Sequence, residues 1–429
     1  MAMFNPFSKL WNDKRGNILV IAAAAIPVIV AAAGLATDTI QWTIWKRQLQ
    51  RAADSAAIAG VYDRESNGTS STTNVPTAVA RDLALNNHTW MALKAGYPAI
   101  SYPANAGVMT DQVTVGLAVQ QPLPFSSVFV STAPTITASA TASGVAIGDP
   151  CMLALDKTAA PSINFSGNAT VYMPNCPVFS NSSATNSPVA KGSSDVTTKS
   201  IGAVGGIQSS NNFHVGAYYP YSTAIADPFA GIAPSPSDMN CTNAALTDNT
   251  TAATLASYNC FSSLSVQPNR TLIIPPSYTG PIYINGGGLD FKGNFTCAAC
   301  TIVLTNSNTS PTATIGTITT NASANVNIVA PVDGPFAGIA IYQDRRATDC
   351  SNCNKINGNS SSLITGALYF PNQELQYNGT GNSTAVCTMF VAKRLTFTGN
   401  SGNNQFKGLQ DCHIPGSEQR ALKIVRLVQ

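Results

Sequence analysis

The sequence predicts a transmembrane helix that extends into a small α+β head, followed by a mostly-β domain, read as a parallel β-helix (β-solenoid). Three observations predict it. Residues 16–37 contain no charge over 22 positions, helical spacing continues beyond them to Gly60, and short β-compatible runs preceded by Gly-Asn turns recur after Cys151. Composition agrees: only 10% of the 429 residues are charged and 44% are hydrophobic, against roughly 25% charged in an average globular chain. Polar, uncharged residues that suit strands and turns take the place of the charges. The net charge of +3 is spread thinly, which argues against a nucleic-acid partner.

The uncharged run reads as the anchor because a membrane-spanning helix needs roughly 20 apolar residues. Lys9, Lys14 and Arg15 precede it, so the positive-inside rule leaves the N-terminus in the cytoplasm and exports the bulk. A cleaved signal peptide ending at Ala31-Ala32-Ala33 is the competing reading. The run exceeds the usual apolar core of such peptides, which favours an uncleaved anchor. Pro27 marks a kink that membrane helices tolerate.

After Asp38, Ile40, Ile44, Gln48, Leu49, Ala52, Ala53, Ala56 and Ala59 recur at spacings of three and four, which is one helix face. A helix over 17–60 would run roughly 65 Å. Ala52, Ala53, Ala56 and Ala59 offer a smooth face for close packing, and Gly60 is the predicted stop. Residues 64–74 read as a loop, and Pro76 opens a second helix to Lys94. Two strands follow, Gln112–Val119 and Thr135–Val145. A long helix, a short helix and a small sheet make a pilin-like head.

Beyond Cys151 the helical periodicity ends. Gly-Asn turns stand at Gly167, Gly293, Gly358 and Gly399, with a Gly-Thr variant at Gly379. The glycines at 358, 379 and 399 lie 21 and 20 residues apart, a period that marks a solenoid. A β-sandwich with irregular loops is the alternative. Residues 220–259 interrupt the repeat as a Pro-rich excursion. The predicted organisation is therefore a cytoplasmic N-terminus (1–16), an anchor (17–37), a head (38–148) that includes the continued helix (38–60), a β-helix-like domain (149–416) and a C-terminal strand or cap (417–429).

Ten cysteines lie beyond the anchor: Cys151, Cys176, Cys241, Cys260, Cys297, Cys300, Cys350, Cys353, Cys387 and Cys412. On the exported side they are expected to be oxidised. Cys151 with Cys176 and Cys387 with Cys412 are 25 residues apart, about one turn of the repeat, so each pair is expected to staple neighbouring turns. Cys241 is expected to pair with Cys260, and each Cys-x-x-Cys to close on itself, although ten cysteines allow many other pairings. A four-cysteine zinc site from the two Cys-x-x-Cys pairs, or a redox role, is the alternative. Their separation exceeds that of zinc ribbons, and no cofactor or metal is expected.

Catalytic candidates are sparse. The densest polar group is Asp344-Arg345-Arg346, with Asp333 and Asp349 nearby. A base beside arginine suits polysaccharide cleavage, but an exposed ion pair is the favoured reading. His88, His214 and His413 stand apart in sequence, and no nucleotide-binding loop, nucleophile elbow or zinc-protease motif occurs. No catalytic residue is assigned.

The N-terminal residues resemble the start of TadG-like proteins of the Flp (tight-adherence) pilus-assembly system. The resemblance rests on Arg15-Gly16-Asn17, Pro27, Gly34, Asp38 and the run Lys46-Arg47-Gln48-Leu49-Gln50 leading into Ala52-Ala53-Asp54. Two departures narrow it. Pseudopilins carry a glutamate five residues past the peptidase site, where this chain has Ile21, and the D-x-S-x-S signature of a von Willebrand A domain is absent. The resemblance implies a single-pass protein of the inner membrane with its C-terminal bulk in the periplasm or outside. Its expected partners are the Flp pilus-assembly platform or pseudopilin proteins and inner-membrane lipid. A surface-displayed glycan-binding or polysaccharide-degrading β-helix is the runner-up.

Overall fold

The computed structural model describes residues 16–66, 71–86, 92–358, 362–379, 386–399, 404–409, 412, 414 and 422–428. Two units emerge: the first runs from the N-terminal helix to Val145 and takes in the stretch from Val425, and the second is Ala146–Ile424.

The helical spacing after residue 16 becomes a single helix, α1 (Gly16–Ser66), with Pro27 inside it. At 1.5 Å per residue it is about 75 Å long. Gly60 does not end it, contrary to the sequence reading. A Cβ at Gly60 would lie 2.9 Å from Val113 Cγ1 and 3.2 Å from Val75 Cγ1, so this glycine lets the helix approach its neighbours closely. The helix continues because Val61 is fully buried and Arg64 pairs with Asp111 at 3.4 Å. Arg64 also donates to the Gln112 carbonyl at 2.8 Å.

The second helix, α2 (Val75–Asn86), is shorter than predicted. Residues 93–94 join the sheet instead: Leu93 bridges Val119 and the Lys94 amide donates to the Ala118 carbonyl at 2.8 Å. His88 lies outside the described residues. The sheet contains β1 (Ala99–Ser101), β2 (Met109–Gln120) and β3 (Thr135–Gly148), antiparallel in that order, and the C-terminal strand Leu422–Leu427 completes it beside β3. Both central strands contain the predicted runs. Val113, Val115, Leu117 and Val119 of β2 and Ile136, Ala138, Ala140 and Ala142 of β3 are buried with the α1 alanines in one core. That alternation is what a sheet with one face covered by helices requires.

In the second unit every strand pairing among the described residues is parallel, and the pairings form three ladders. One column of the first ladder runs Cys260, Tyr283, Val303, Tyr342, Tyr369, Val391, Leu153, Phe179, Gly202. Leu246, Leu264, Leu289 and Ile318 begin a second ladder, and Leu272, Phe295 and Val326 a third. Apolar residues from all three ladders meet in a common interior.

The order of that column departs from chain order. The strand Val386–Phe397 pairs with Leu363–Gly379 on one side and with Met152–Ala154 and Ile163–Phe165 on the other. The late part of the domain thus stacks directly on its beginning, which the sequence did not reveal. Tyr219, which pairs with Gly202, and Cys241, which pairs with Cys260, therefore stand at opposite ends, ten strand spacings apart in the column. At about 4.8 Å per spacing that is roughly 48 Å.

The Pro-rich stretch between them is a strap along the outer face of the first ladder. Its Ile225 amide and carbonyl bond to the Asn181 side chain at 2.9 and 2.8 Å. Phe229 is buried against Tyr369, with ring centroids 5.2 Å apart, and Asn259 holds the Asp238 carbonyl at 2.8 Å. The buried outer residues Leu153, Phe179, Tyr283, Tyr342 and Tyr369 form a second apolar cluster with Phe229.

The Gly-Asn turns serve two purposes. Gly167 and Gly399 adopt positive φ of 67° and 115°, which only glycine enters without strain. Gly293 does not, and is required because a Cβ there would press on the Gln267 and Arg270 carbonyls. The 21-residue period is real register: Asn357 pairs with Asn378 and Gly358 with Gly379, and the two asparagines bond at 2.8 Å.

Candidate functional site

The cysteines are all engaged. Bonds join Cys151 to Cys176, Cys241 to Cys260, Cys297 to Cys300, Cys350 to Cys353 and Cys387 to Cys412. Cys241 and Cys260 are themselves parallel-paired neighbours with Cα atoms 4.2 Å apart. Each Cys-x-x-Cys closes on itself, so the four thiols of a zinc site are not assembled. Among the described residues no group of three or more His, Cys, Asp or Glu is placed to hold a metal ion.

The Asp344–Arg346 cluster is a hydrogen-bonded joint in which Asp344 is buried and both arginines are half-buried, which corrects the expectation of an exposed ion pair. Arg345 reaches the strap: its guanidinium donates to the Ile232 carbonyl at 2.6 Å, to Asp227 at 3.2 Å and to the Phe229 carbonyl. Tyr369 donates to the same Asp227 carboxylate at 2.6 Å, and Arg345 lies over its ring at 5.2 Å. Tyr342 donates to the Ile232 carbonyl at 2.7 Å. Burial pushes the Tyr342 and Tyr369 hydroxyls well above their ordinary range.

Asp344 is only 6% exposed and accepts from Arg346 at 2.7 Å and from Thr305 at 2.7 Å. Burial alone would raise its pKa, but the Arg346 and Thr305 hydrogen bonds hold it below the usual 3.8. A carboxylate so held is a weak base, poorly matched to proton abstraction near neutral pH. Asp333 is exposed. His214 faces Asp195 at 3.5 Å on the surface, and His413 lies outside the described residues.

Asp349 belongs to a different joint. It accepts from Arg394 at 2.5 Å and from Lys393 at 2.7 Å, and Arg394 also reaches Asp156 at 3.2 Å. These residues tie the late strand Val386–Phe397 to the early segment it stacks on. The Arg394 hydrogen bond, opposed by burial, holds Asp349 at about 2. Burial would raise Asp156, but the Thr158 and Ala159 amides and Arg394 hold it low. A lowered folded-state pKa contributes stability above the ordinary carboxylate range and loses it as pH falls through the folded value. We therefore expect the stability advantage of wild type over Asp349→Asn to be constant above about pH 5 and to vanish between about pH 4 and 2. Because Asp349 is half exposed, the advantage should be well under about 1 kcal/mol. Denaturant midpoints at several pH values check this.

Along α1 the environment changes sharply near Asp38. The N-terminal half is apolar and long enough to cross a membrane, and none of its most apolar stretch is buried within the protein. Val20, Ile21, Ile26, Val28, Ile29, Val30 and Leu35 are all exposed. From Trp45 onward the helix is buried in the head: Trp45, Leu49, Ala52, Ala53, Ala56 and Ala57 all belong to its core, and Ala59 is half-buried. Gln50 links Asp54 at 2.8 Å to the Ser139 carbonyl at 2.9 Å. The alanine face is thus the floor on which α2 and the sheet sit.

Residues 16–63 match a family model described as "Putative Flp pilus-assembly TadE/G-like". This segment is similar to the TadE/G-like family. No curated protein and no solved structure matches the chain.

The TadE/G-like segment covers the exposed apolar half of α1 and the buried half together, and ends just before Arg64. Two of its residues have roles the sequence reading missed. Asp38, 3% exposed, accepts the Phe125 and Ser126 amides at 2.8 and 2.6 Å and the Ser126 hydroxyl. Gly34, one helical turn earlier, lies beneath the Phe125 ring, which a Cβ would overlap. The available signal was an i, i+4 pair of glycine and a lone acid at the end of an apolar run. Nothing in sequence indicated a partner nearly 90 positions away.

Proposed function

We propose that this protein is a single-pass envelope protein that supports assembly or anchoring of Flp pili by binding other proteins, without catalysis. The observation that carries the reading is the match at 16–63 to a pilus-assembly family, on a helix whose first half is exposed and apolar. In this reading residues 17–37 cross the inner membrane with the N-terminus in the cytoplasm, and the rest lies in the periplasm or outside. The first unit is a pilin-like head that meets the pilus-assembly platform or pseudopilins. The three parallel ladders are the faces of a β-helix, which serves as spacer or adhesive surface. Charged residues at Asp344–Arg346 and Asp349–Arg394 support that reading, because each holds the domain together.

Deleting the gene should abolish or strongly reduce surface Flp pili and attachment while pilin synthesis continues. Restoring the chain with residues 16–37 replaced by a cleavable signal peptide should not rescue piliation. Counting pili by electron microscopy beside immunoblots of pilin checks both. Normal piliation in the deletion strain would overturn the proposal, and normal piliation with lost glycan attachment would establish the display reading instead.

A further inference from the structure

We propose that the loop Phe125–Val130 is a second membrane contact, whose Val128-Phe129-Val130 tip enters the outer boundary of the bilayer that α1 crosses. The inference rests on reading α1 as the membrane span. Contacts along α1 place the loop at the membrane-proximal end of the head. Gly60 lies by Val113, Gln50 reaches the Ser139 carbonyl, Lys46 reaches the Thr137 carbonyl, and Asp38 and Gly34 meet Phe125. The sheet thus descends along the helix toward the apolar half, and the loop between β2 and β3 is its lowest point. Gly34 is three residues, about 4.5 Å, inside the last uncharged residue, Thr37. Phe125 seated on it is therefore level with the outer turn of the span.

The tip has the composition for that depth. Val128 and Phe129 are 75% and 73% exposed and Val130 is 55% exposed, an apolar trio that water disfavours and a lipid boundary accepts. No charged residue occurs from Gln112 to Gly148, so none opposes entry. The backbone is partly satisfied from within: a 3₁₀ turn spans Ser126–Val128, and the Phe129 and Val130 amides donate to the Ser126 carbonyl at 3.0 and 2.8 Å. Internal pairing of this kind lowers the cost of placing irregular backbone near hydrocarbon. Trp42, exposed one turn beyond Asp38, suits the interfacial belt. With Asp38 and Gly34 fixing the base of the loop, two contacts set the rotation of the head about the anchor.

The test uses the full-length protein in nanodiscs, one copy per disc, with a dansyl-bearing amino acid placed singly at Val28, Leu85 or Phe129. Leu85 is an exposed apolar residue on α2 and reports water; Val28 reports the span. Emission at 129 should be blue-shifted like that at 28, and quenched several-fold more by a shallow lipid nitroxide than by a water-soluble quencher. Emission at 129 matching that at 85, while 28 remains in lipid, would overturn the loop contact and leave the anchor intact. A blue-shifted 129 that no lipid nitroxide quenches would reveal a protein contact and overturn it too. A water-exposed 28 would refute the anchor, and the loop contact with it.

Discussion

Arg345→Ala should release the strap and cost the second unit about 2 kcal/mol of stability, within the range for hydrogen bonds to a charged group, since the Arg345–Asp227 pair is half-buried. The reason is what remains. Asp227 would retain the Tyr369 hydroxyl but lose its cation, and the Phe229 and Ile232 carbonyls would each lose a donor from Arg345. Phe229 and the outer faces of Tyr342 and Tyr369 would then be reached by water. Arg345→Lys keeps the charge but not the planar fork that serves several acceptors at once, so its loss should be intermediate. Denaturant midpoints, with limited proteolysis between residues 223 and 240, measure both effects. A midpoint within about 0.5 kcal/mol of wild type, the range of ordinary surface changes, would show that the strap is held by its apolar contacts alone.

Gly60→Leu should destabilise the first unit by about 3 kcal/mol, because added volume in a packed core forces its neighbours apart. The glycine hydrogen faces Val113 and Val75 where even a single carbon is tight. Gly60→Ala is the informative control. Its gain in helix propensity, about 1 kcal/mol, opposes the strain at Val113, so the net change should be small. Thermal unfolding in detergent should separate the two variants clearly. If the head is the surface that meets the assembly machinery, Gly60→Leu should also lower pilus number in cells while Gly60→Ala does not. Equal melting temperatures for the two would contradict the close approach of α1 to the sheet.

These expectations show where sequence reading succeeds. The extent of the apolar run, the alanine face, the two alternating strands of the head and the 21-residue register at Asn357 and Asn378 are all local patterns with a fixed period. Pairing between cysteines 25 residues apart was one of many the sequence allowed; the pairing of Met152 with Val178 is what brings Cys151 beside Cys176. Gly60 was misread because glycine has two uses, ending a helix or permitting contact, and only the presence of Val113 distinguishes them. The second helix was drawn too long for a similar reason: residues 93–94 suit a helix in isolation, but the free edge at Ala118 and Val119 offers them a hydrogen-bonded alternative. Asp344 and Arg345 looked like surface charges because their partners, Thr305 and the strap, are distant in sequence.

A run without charge and a repeat of turns sufficed to predict a helix long and apolar enough to cross a membrane and a domain of parallel strands, since hydrophobic burial and backbone hydrogen bonding impose periods that adjacent residues already display. The placement of Val386–Phe397 on Met152–Ala154, the course of the strap, the seating of Phe125 on Gly34 and the return of Leu422–Leu427 to the head sheet had to await the folded chain. Each brings together residues from about 40 to nearly 300 positions apart, and the free energy that selects such a contact resides in two complementary surfaces at once. Neither surface carries a mark of the other until the chain has brought them into contact.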